Sequence, residues 1–299
     1  MVTPQRRRFH NERLKADLVL LCVALVWGSA FVAQRAAAAH LGFFLYNGIR
    51  FLLGALVLLL IFRKRQLRLT PAEWRGGVLA GLLLFGAAAF QQAGLQFTTA
   101  GKAGLITGLY VVLVPLFLAL GWRQRLPKVA WIASLFAVAG LFLLSGTQQW
   151  SLAPGDGLEL AGAVLWALHV IAIGRMAGRV DPVRLSLGQY FVCGLINLLL
   201  GVLLEGHTWS GLSAAWWAVL YGGIISVGLG YTLQAVGQRH APAADAAILL
   251  SMESPFAALF GWLFLQEILT PLQMLGCGLM LCGMLLAQIP AFGRARAVQ

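Results

Sequence analysis

Charge is scarce in this 299-residue chain. Asp, Glu, Lys and Arg make up 11% of it, against about 25% in a typical soluble domain. With 60% hydrophobic residues and a mean hydropathy of +0.83, a water-soluble globular fold is excluded. Cysteine is confined to Cys22, Cys193, Cys277 and Cys282. Each lies in an apolar run with no CxxC pair or nearby histidine, and reads as a small packed hydrophobe rather than part of a disulfide or metal framework. The five histidines (His10, His40, His169, His207 and His240) are dispersed and no HExxH occurs, so nothing marks a metalloenzyme centre. A GxxxxGK[ST] loop is also missing, since Gly94 and Gly101-Lys102 have the wrong spacing for one. The chain therefore has no phosphate cradle for ATP, and no cofactor is implied.

What is present is a series of long apolar runs. Windows of about 20 apolar residues are needed to cross a bilayer as helix. Ten fit, at 17–36, 43–62, 75–97, 102–122, 129–146, 157–175, 185–204, 214–236, 245–265 and 272–291. The gaps are short, which predicts antiparallel neighbours and leaves no room for a soluble domain. Basic residues alternate with the connections. Arg6, Arg7, Arg8, Arg13 and Lys15 precede the first span, and Arg63, Lys64, Arg65, Arg68 and Arg75 follow the second. Arg123, Arg125 and Lys128 follow the fourth span, Arg175, Arg179 and Arg184 the sixth, Arg239 the eighth, and Arg294 and Arg296 the tenth. By the positive-inside rule both termini are cytoplasmic. The net charge of +12 is thereby a topology signal, and no nucleic-acid partner is expected. Arg6-Arg7-Arg8, the apolar run from Leu18 and Ala36–Ala39 imitate a secretory leader. An internal counterpart around Trp166 marks this segment instead as a retained first span.

The pattern is written twice. Trp27–Phe51 returns as Trp166–Tyr190, and Leu69-Thr70 as Leu212-Ser213. Gln91 and Gly94 return as Gln234 and Gly237, Pro115 and Gly121-Trp122 as Pro255 and Gly261-Trp262, and Gly140 as Gly283. The offset stays between 139 and 143 residues. A unit with an odd number of spans, repeated in one chain, lies upside down relative to its copy, which is the architecture of inverted-repeat transporters. The expected fold is an all-α integral membrane protein with ten transmembrane helices in two inverted five-helix repeats. Its parts are a cytoplasmic N-terminal segment 1–15, repeats at 16–147 and 157–290, and a cytoplasmic tail 291–299. The many glycines, such as Gly76-Gly77-Gly81 and Gly276-Gly278-Gly283, suit close helix packing in lipid.

Several motifs carry a family resemblance. Trp27-Gly28-Ser29-Ala30-Phe31 resembles the WGSxF signature of the EamA family in the drug/metabolite transporter superfamily, and Arg50-Phe51 resembles its RF pair. Thr98-Thr99-Ala100-Gly101-Lys102-Ala103-Gly104 leading to Pro115 is similar as well. So is Glu253-Ser254-Pro255-Phe256 followed by Gly261-Trp262 and Gln266-Glu267. The resemblance covers about residues 16–290. It implies two inverted five-helix halves around a central cavity and movement of small metabolites, with export rather than import by family analogy. Two departures stand out. Arg123-Gln124-Arg125 replaces the motif acid in the first copy, and about three extra residues (Tyr110, Val111, Val112) precede Pro115. They predict a lengthened or bulged fourth helix.

Polar groups at membrane depth are costly, so each needs an account. In the first copy they are Asn47, Arg50, Gln91, Gln92, Thr107 and Tyr110, in the outer half of the membrane. In the second they are Gln189, Tyr190, Tyr231, Gln234, Ser251 and Glu253, nearer the cytoplasmic half. This division predicts two vestibules meeting near the midplane, where Trp27, Trp166 and His169 lie. Trp27, Asn47, Arg50, Gln91, Gln92, Tyr110, Trp166, His169, Gln189 and Gln234 are the candidate substrate-binding residues. Glu253 is a candidate proton carrier, or else a structural carboxyl bonding carbonyls freed by Pro255. Arg50 could hold a substrate carboxylate or brace helix carbonyls. Trp27, Trp166, Tyr110 and Tyr231 could line an apolar cavity. Trp74, Trp122, Trp150, Trp209, Trp216, Trp217 and Trp262, near span ends, fit interfacial belts. His169 lies one turn after Trp166 on the same face, as a packed residue or a proton relay. The expected function is a secondary transporter, exporting a small metabolite such as an amino acid or amphipathic compound by alternating access. Proton coupling is left open, with a channel or non-transporting scaffold as alternatives. Its partners would be a small-molecule substrate and the lipid of a bacterial inner membrane, its assembly a monomer or homodimer. No enzymatic site is expected.

Overall fold

The computed structural model describes residues 4–64, 68–98, 100–144, 154–205, 209–265, 268 and 270–293, with backbone alone at 4–10, 100–102, 209–210, 265 and 288–293. The described residues are helices joined by short turns, with no strand among them. They form α1 (Pro4–Ala38), α2 (Phe43–Ile61), α3 (Pro71–Gly94), α4 (Ala100–Thr107), α5 (Tyr110–Leu120), α6 (Lys128–Leu144) and α7 (Pro154–Met176). α8 (Pro182–Leu204) and α9 (Trp209–Leu220) follow, then a π-helical stretch, Tyr221–Tyr231, continued by α10 (Thr232–Gly237). α11 (Ala243–Leu250), α12 (Glu253–Leu265) and α13 (Pro271–Gly293) complete the chain.

Helix starts follow local chemistry. Thr70 and Glu73 form a reciprocal capping box around Pro71, in which the Thr70 amide donates to Glu73 Oε2 (2.7 Å) and the Glu73 amide to Thr70 Oγ1 (3.3 Å). Thr270, Pro271 and Gln273 repeat the device at α13 (2.9 and 3.3 Å). Asp181 caps α8 by accepting from the Val183 and Arg184 amides, both at 3.1 Å. The start of α2 is capped from afar: the amides of Phe44 and Leu45 donate to the Glu205 carboxylate at the end of α8 (2.8 and 2.7 Å). Gly42 leaves room for that carboxylate, against which a Cβ would press.

Eight stretches are long and apolar enough to cross a membrane, and Lys128–Leu144 and Pro271–Ala287 are shorter apolar helices. Only 44–56% of the most apolar window of each long stretch is buried inside the protein. The remainder presents side chains such as Leu60, Ile61, Leu203 and Phe264 outward, a surface suited to lipid and not to water. The chain is an all-α, multi-pass membrane protein. Its most extensive packing joins a helix before residue 146 to one after 153: α6 with α13, α2 with α8, α3 with α7 and α8, and α1 with α12. The pairings are reciprocal. Contact of α3 with α7 is answered by α1 with the π-helical stretch and α10, and contact of α4 and α5 with α7 by α1 with α11 and α12.

The first helix begins at Pro4, and the expected span 17–36 lies within its apolar part, Asn11–Ala38. Arg13 pairs with Asp17 one turn on (2.9 Å) and also bridges to Asp245 of α11 (2.8 Å). Three expectations need correction. The windows 102–122 and 245–265 are not single helices, since each breaks after eight residues. The window 214–236 contains the π-helical stretch, whose Gly222, Gly223 and Gly228 permit a wide turn and close contact with α2, while Gly230 packs against Trp27 of α1. Of the cysteines, all free, only Cys193 is fully packed, while Cys22 and Cys282 face outward. Trp74, Trp122, Trp216, Trp217 and Trp262 are exposed as belt residues should be. Trp150, the side chain of Trp209, the Gln266-Glu267 motif and residues 294–299 lie outside the described residues.

Candidate functional site

The two broken helices meet. α4 ends at Thr107 and α5 starts at Tyr110, while α11 ends at Leu250 and α12 starts at Glu253. Ser254 Oγ donates to the Gly104 carbonyl of α4 (2.8 Å), tying one break to the other. A proline follows each break, at Pro115 and Pro255, removing an amide from the ladder. Tyr110 precedes Glu253 by 143 residues, the offset of Gln91 and Gln234, whereas the prolines differ by 140. The three extra residues therefore lie between break and proline, where they extend α5. In place, Glu253 is matched by Tyr110, whose hydroxyl faces the carboxyl without closing a well-formed hydrogen bond.

Beside the breaks lies a cavity of about 20 Å³, little more than the roughly 10–15 Å³ that one ordered water needs. It is lined by Trp27, Phe31 and Gln34 of α1, Gln91 of α3, Thr107 of α4 and Tyr110 of α5. From the other side come Trp166 and Val170 of α7, Ser226 and Tyr231 of the π-helical stretch, Gln234 of α10 and Glu253 of α12. Tyr231 is the hub of the aromatic wall, with its ring centroid 4.6 Å from Trp27 and 5.8 Å from a nearly parallel Trp166. Trp27 is held by donation from Nε1 to the Ser226 carbonyl (3.2 Å). Gln91 donates to Thr107 Oγ1 (3.0 Å). Six polar atoms at this cavity are buried without hydrogen-bond partners: Trp166 Nε1, Gln34 Oε1, the Tyr110 hydroxyl, both amide atoms of Gln234 and Glu253 Oε1. An unpaired buried polar group costs about 1–3 kcal/mol, and the cavity has room for about one ordered water to meet some of these atoms.

Trp27, Gln91, Tyr110, Trp166, Gln234 and Glu253, all expected from sequence, thus come together. The others do not reach the cavity wall. Arg50 is fully buried, donating from Nε to Asn47 Oδ1 (2.9 Å), with its guanidinium 5.1 and 4.9 Å from the Tyr46 and Phe51 ring centroids. Asn47 passes the contact on to the Ala88 carbonyl of α3 (2.9 Å). Gln92 donates to the Gln34 carbonyl (3.0 Å). His169 Nε2 meets Gln189 Oε1 at 2.8 Å, behind the Trp166–Tyr231 pair. Sequence reasoning missed Phe31, Gln34, Val170 and Ser226 as lining residues, and it missed the buried acid Glu159. Helical spacing could have found most of them: Phe31 and Gln34 follow Trp27 by four and seven residues, and Glu159 and Val170 flank Trp166 by seven and four.

A multi-pass helical membrane protein with a small, closed, aromatic and polar cavity between its broken helices is the class these features define. The chain belongs to the EamA-like transporter family, whose sequence profile matches residues 14–146 and again 153–288. An uncharacterized transporter of Archaeoglobus fulgidus is 30% identical over 93% of this chain and 87% of its own. The threonine/homoserine exporter RhtA of Escherichia coli K12 is 28% identical over 87% of this chain and 86% of its own. A protein crystal structure matches the fold with a TM-score of 0.78 at 23% identity, covering 93% of this chain and 98% of that one.

Proposed function

We propose that the chain is a secondary transporter that exports a small zwitterionic metabolite, an amino acid or similar amphipathic compound, by alternating access. In this reading ten helices cross a bacterial inner membrane as two inverted five-helix repeats, 16–147 and 157–290, with both termini cytoplasmic and the protein acting as a monomer or homodimer. The doubled sequence, the reciprocal helix pairings and the alternating basic connections support that arrangement.

The observation that carries the reading is the closed cavity with unpaired donors and acceptors at the meeting of two helix breaks. Trp166 Nε1 and the Gln234 amide would hold a carboxylate, while Glu253, Gln34 and the faces of Trp27 and Tyr231 would hold an ammonium. The cavity is too small for an amino acid as it stands, so binding requires the helices around it to part. That is the motion a carrier uses and an open channel does without. Proton coupling through Glu253 completes the proposal. The 28% identity to a threonine/homoserine exporter over most of both chains favours an amino-acid substrate.

Solute counterflow in proteoliposomes against an amino-acid panel, with and without a pH gradient, tests this. Saturable exchange of at least one amino acid is expected. Absence of flux under every condition would favour a scaffold, and unsaturable charge movement a channel.

A further inference from the structure

We infer that Glu159 is a second proton-binding site of the transport cycle, linked to the cavity through Thr107 and Gln91. Glu159 lies on α7, two turns before Trp166, and is completely buried. Its Oε2 accepts from the Thr107 hydroxyl (3.2 Å), which in turn accepts from the Gln91 amide (3.0 Å). Thr107 and Gln91 both line the cavity. The other oxygen, Oε1, has no hydrogen-bond partner. The carboxyl presses against the C-terminal end of α3, so closely that a Cβ on Gly94 would fall 2.7 Å from Oε1. That end of a helix carries partial negative charge and disfavours an anion.

No cation on the described residues compensates. Around Glu159, α3 presents Gln91, α4 presents Thr107, and α5 presents Tyr110 towards the cavity. On α11, Asp245 is bridged to Arg13. On α7 itself, Asp156 is the ionisable group among the described residues that acts on Glu159, and its like charge disfavours an anion there. Arg35 of α1 is engaged with the Leu95 carbonyl (2.8 Å). The side chain of Lys102 lies outside the described residues. A buried carboxylate with no cation beside it among the described residues is costly, which favours the protonated acid at Glu159. Thr107 is the last residue before the break in α4, and any parting of α4 from α7 changes the partner that Glu159 keeps. Proton exchange at Glu159 and opening of the cavity are therefore one event.

This rests on the transporter reading above, and the test separates the two. Under a one-unit pH gradient with the membrane potential clamped to zero, each coupled proton supports about a tenfold concentration ratio of substrate. Glu159→Gln, with folding checked by its unfolding midpoint in detergent, should lose about tenfold in gradient-driven accumulation. Thr107→Val, which leaves the carboxyl in place, should shift the pH profile of accumulation. pH-jump infrared difference spectra of the wild type should contain a carboxyl band that Glu159→Gln removes, a readout that does not depend on transport. An unchanged accumulation ratio in Glu159→Gln, an infrared difference spectrum that variant leaves intact, or a sodium gradient that replaces the proton gradient would each overturn the assignment. Failure of wild-type counterflow would instead overturn the transporter reading itself.

Discussion

The two helix breaks share a backbone plan and differ in chemistry. In each, a helix of eight residues stops, two residues turn, and a second helix starts with a side chain facing the cavity. At the first break the turn is Gly108-Leu109 and the facing group is the Tyr110 hydroxyl; at the second it is Ser251-Met252 and the Glu253 carboxyl. The second is also the more crowded. α1 crosses it so closely that a Cβ on Gly28 would sit 2.5 Å from Phe256 Cβ and 2.8 Å from the Glu253 carbonyl oxygen. At the corresponding position of the other copy stands Ala167, a residue that already carries a Cβ. Duplication has kept the break, which lets a helix change direction inside the membrane. The carboxyl on the break itself and the close crossing by α1 stand at only the second.

The crowding predicts the largest effect. Gly28→Val places branched carbon against backbone atoms that cannot step aside, and should destabilise the protein by about 3 kcal/mol or more. Gly278→Ala, where a Cβ would meet nothing within 4 Å, should not destabilise the protein and, inside a helix, should raise stability by up to about 1 kcal/mol. Thermal unfolding of both variants in detergent checks the pair; equal midpoints would mean that α1 does not lock the second break.

The chemical difference predicts the next effect. If the carboxyl at the second break couples transport to protons, Glu253→Gln should abolish a gradient-driven accumulation worth about tenfold per pH unit. Tyr110→Phe removes one hydroxyl at the matching place. It should change the rate by no more than about fivefold, the equivalent of one hydrogen bond of about 1 kcal/mol. Accumulation ratios and initial rates in the same proteoliposomes compare the two directly. A larger loss in Tyr110→Phe than in Glu253→Gln would reverse the roles assigned to the breaks. Ser254→Ala, which frees Gly104 from its only side-chain tie across the breaks among the described residues, should cost about 1 kcal/mol in the same unfolding assay.

Hydropathy located the apolar windows, and cap residues such as Thr70, Asp181 and Thr270 marked where helices start, because both depend on neighbours along the chain. The breaks left a fainter mark. The extra residues before Pro115 pointed to an irregular fourth helix, but nothing fixed the turns at Gly108 and Ser251, which the contact between α4 and α12 brings together. The π-helical stretch was hidden for the same reason, since Gly222 and Gly223 serve packing against Tyr46 and Leu53 of α2. Within the site, Trp27 and Trp166 were legible as large polar-edged rings far from a span end. Glu159 was not, because it falls two residues inside the predicted start of its span, where an acid can still reach water. Its place on the face of Trp166 was the stronger signal, and periodicity outweighs depth when the two disagree.

Arg50 and Gln189 occupy the same position in the two copies, and there the comparison can be sharpened by the smallest effect. Arg50 stacks on Tyr46 and Phe51 and bonds Asn47, which reaches α3; Gln189 bonds His169 of α7. Neither lines the cavity, so both act as braces between helices. Lysine keeps the charge of Arg50 but loses the planar stacking and the fixed fork, so Arg50→Lys should lower stability by about 1 kcal/mol without altering KM. Gln189→Ala should do less, because it leaves His169 packed against Trp166 and Tyr231. The unfolding midpoint and KM, measured on each variant, distinguish bracing from substrate contact. A raised KM at an unchanged midpoint in Arg50→Lys would mean that its guanidinium meets the solute when the cavity opens, and that the two copies divide the work differently from the way their closed packing suggests.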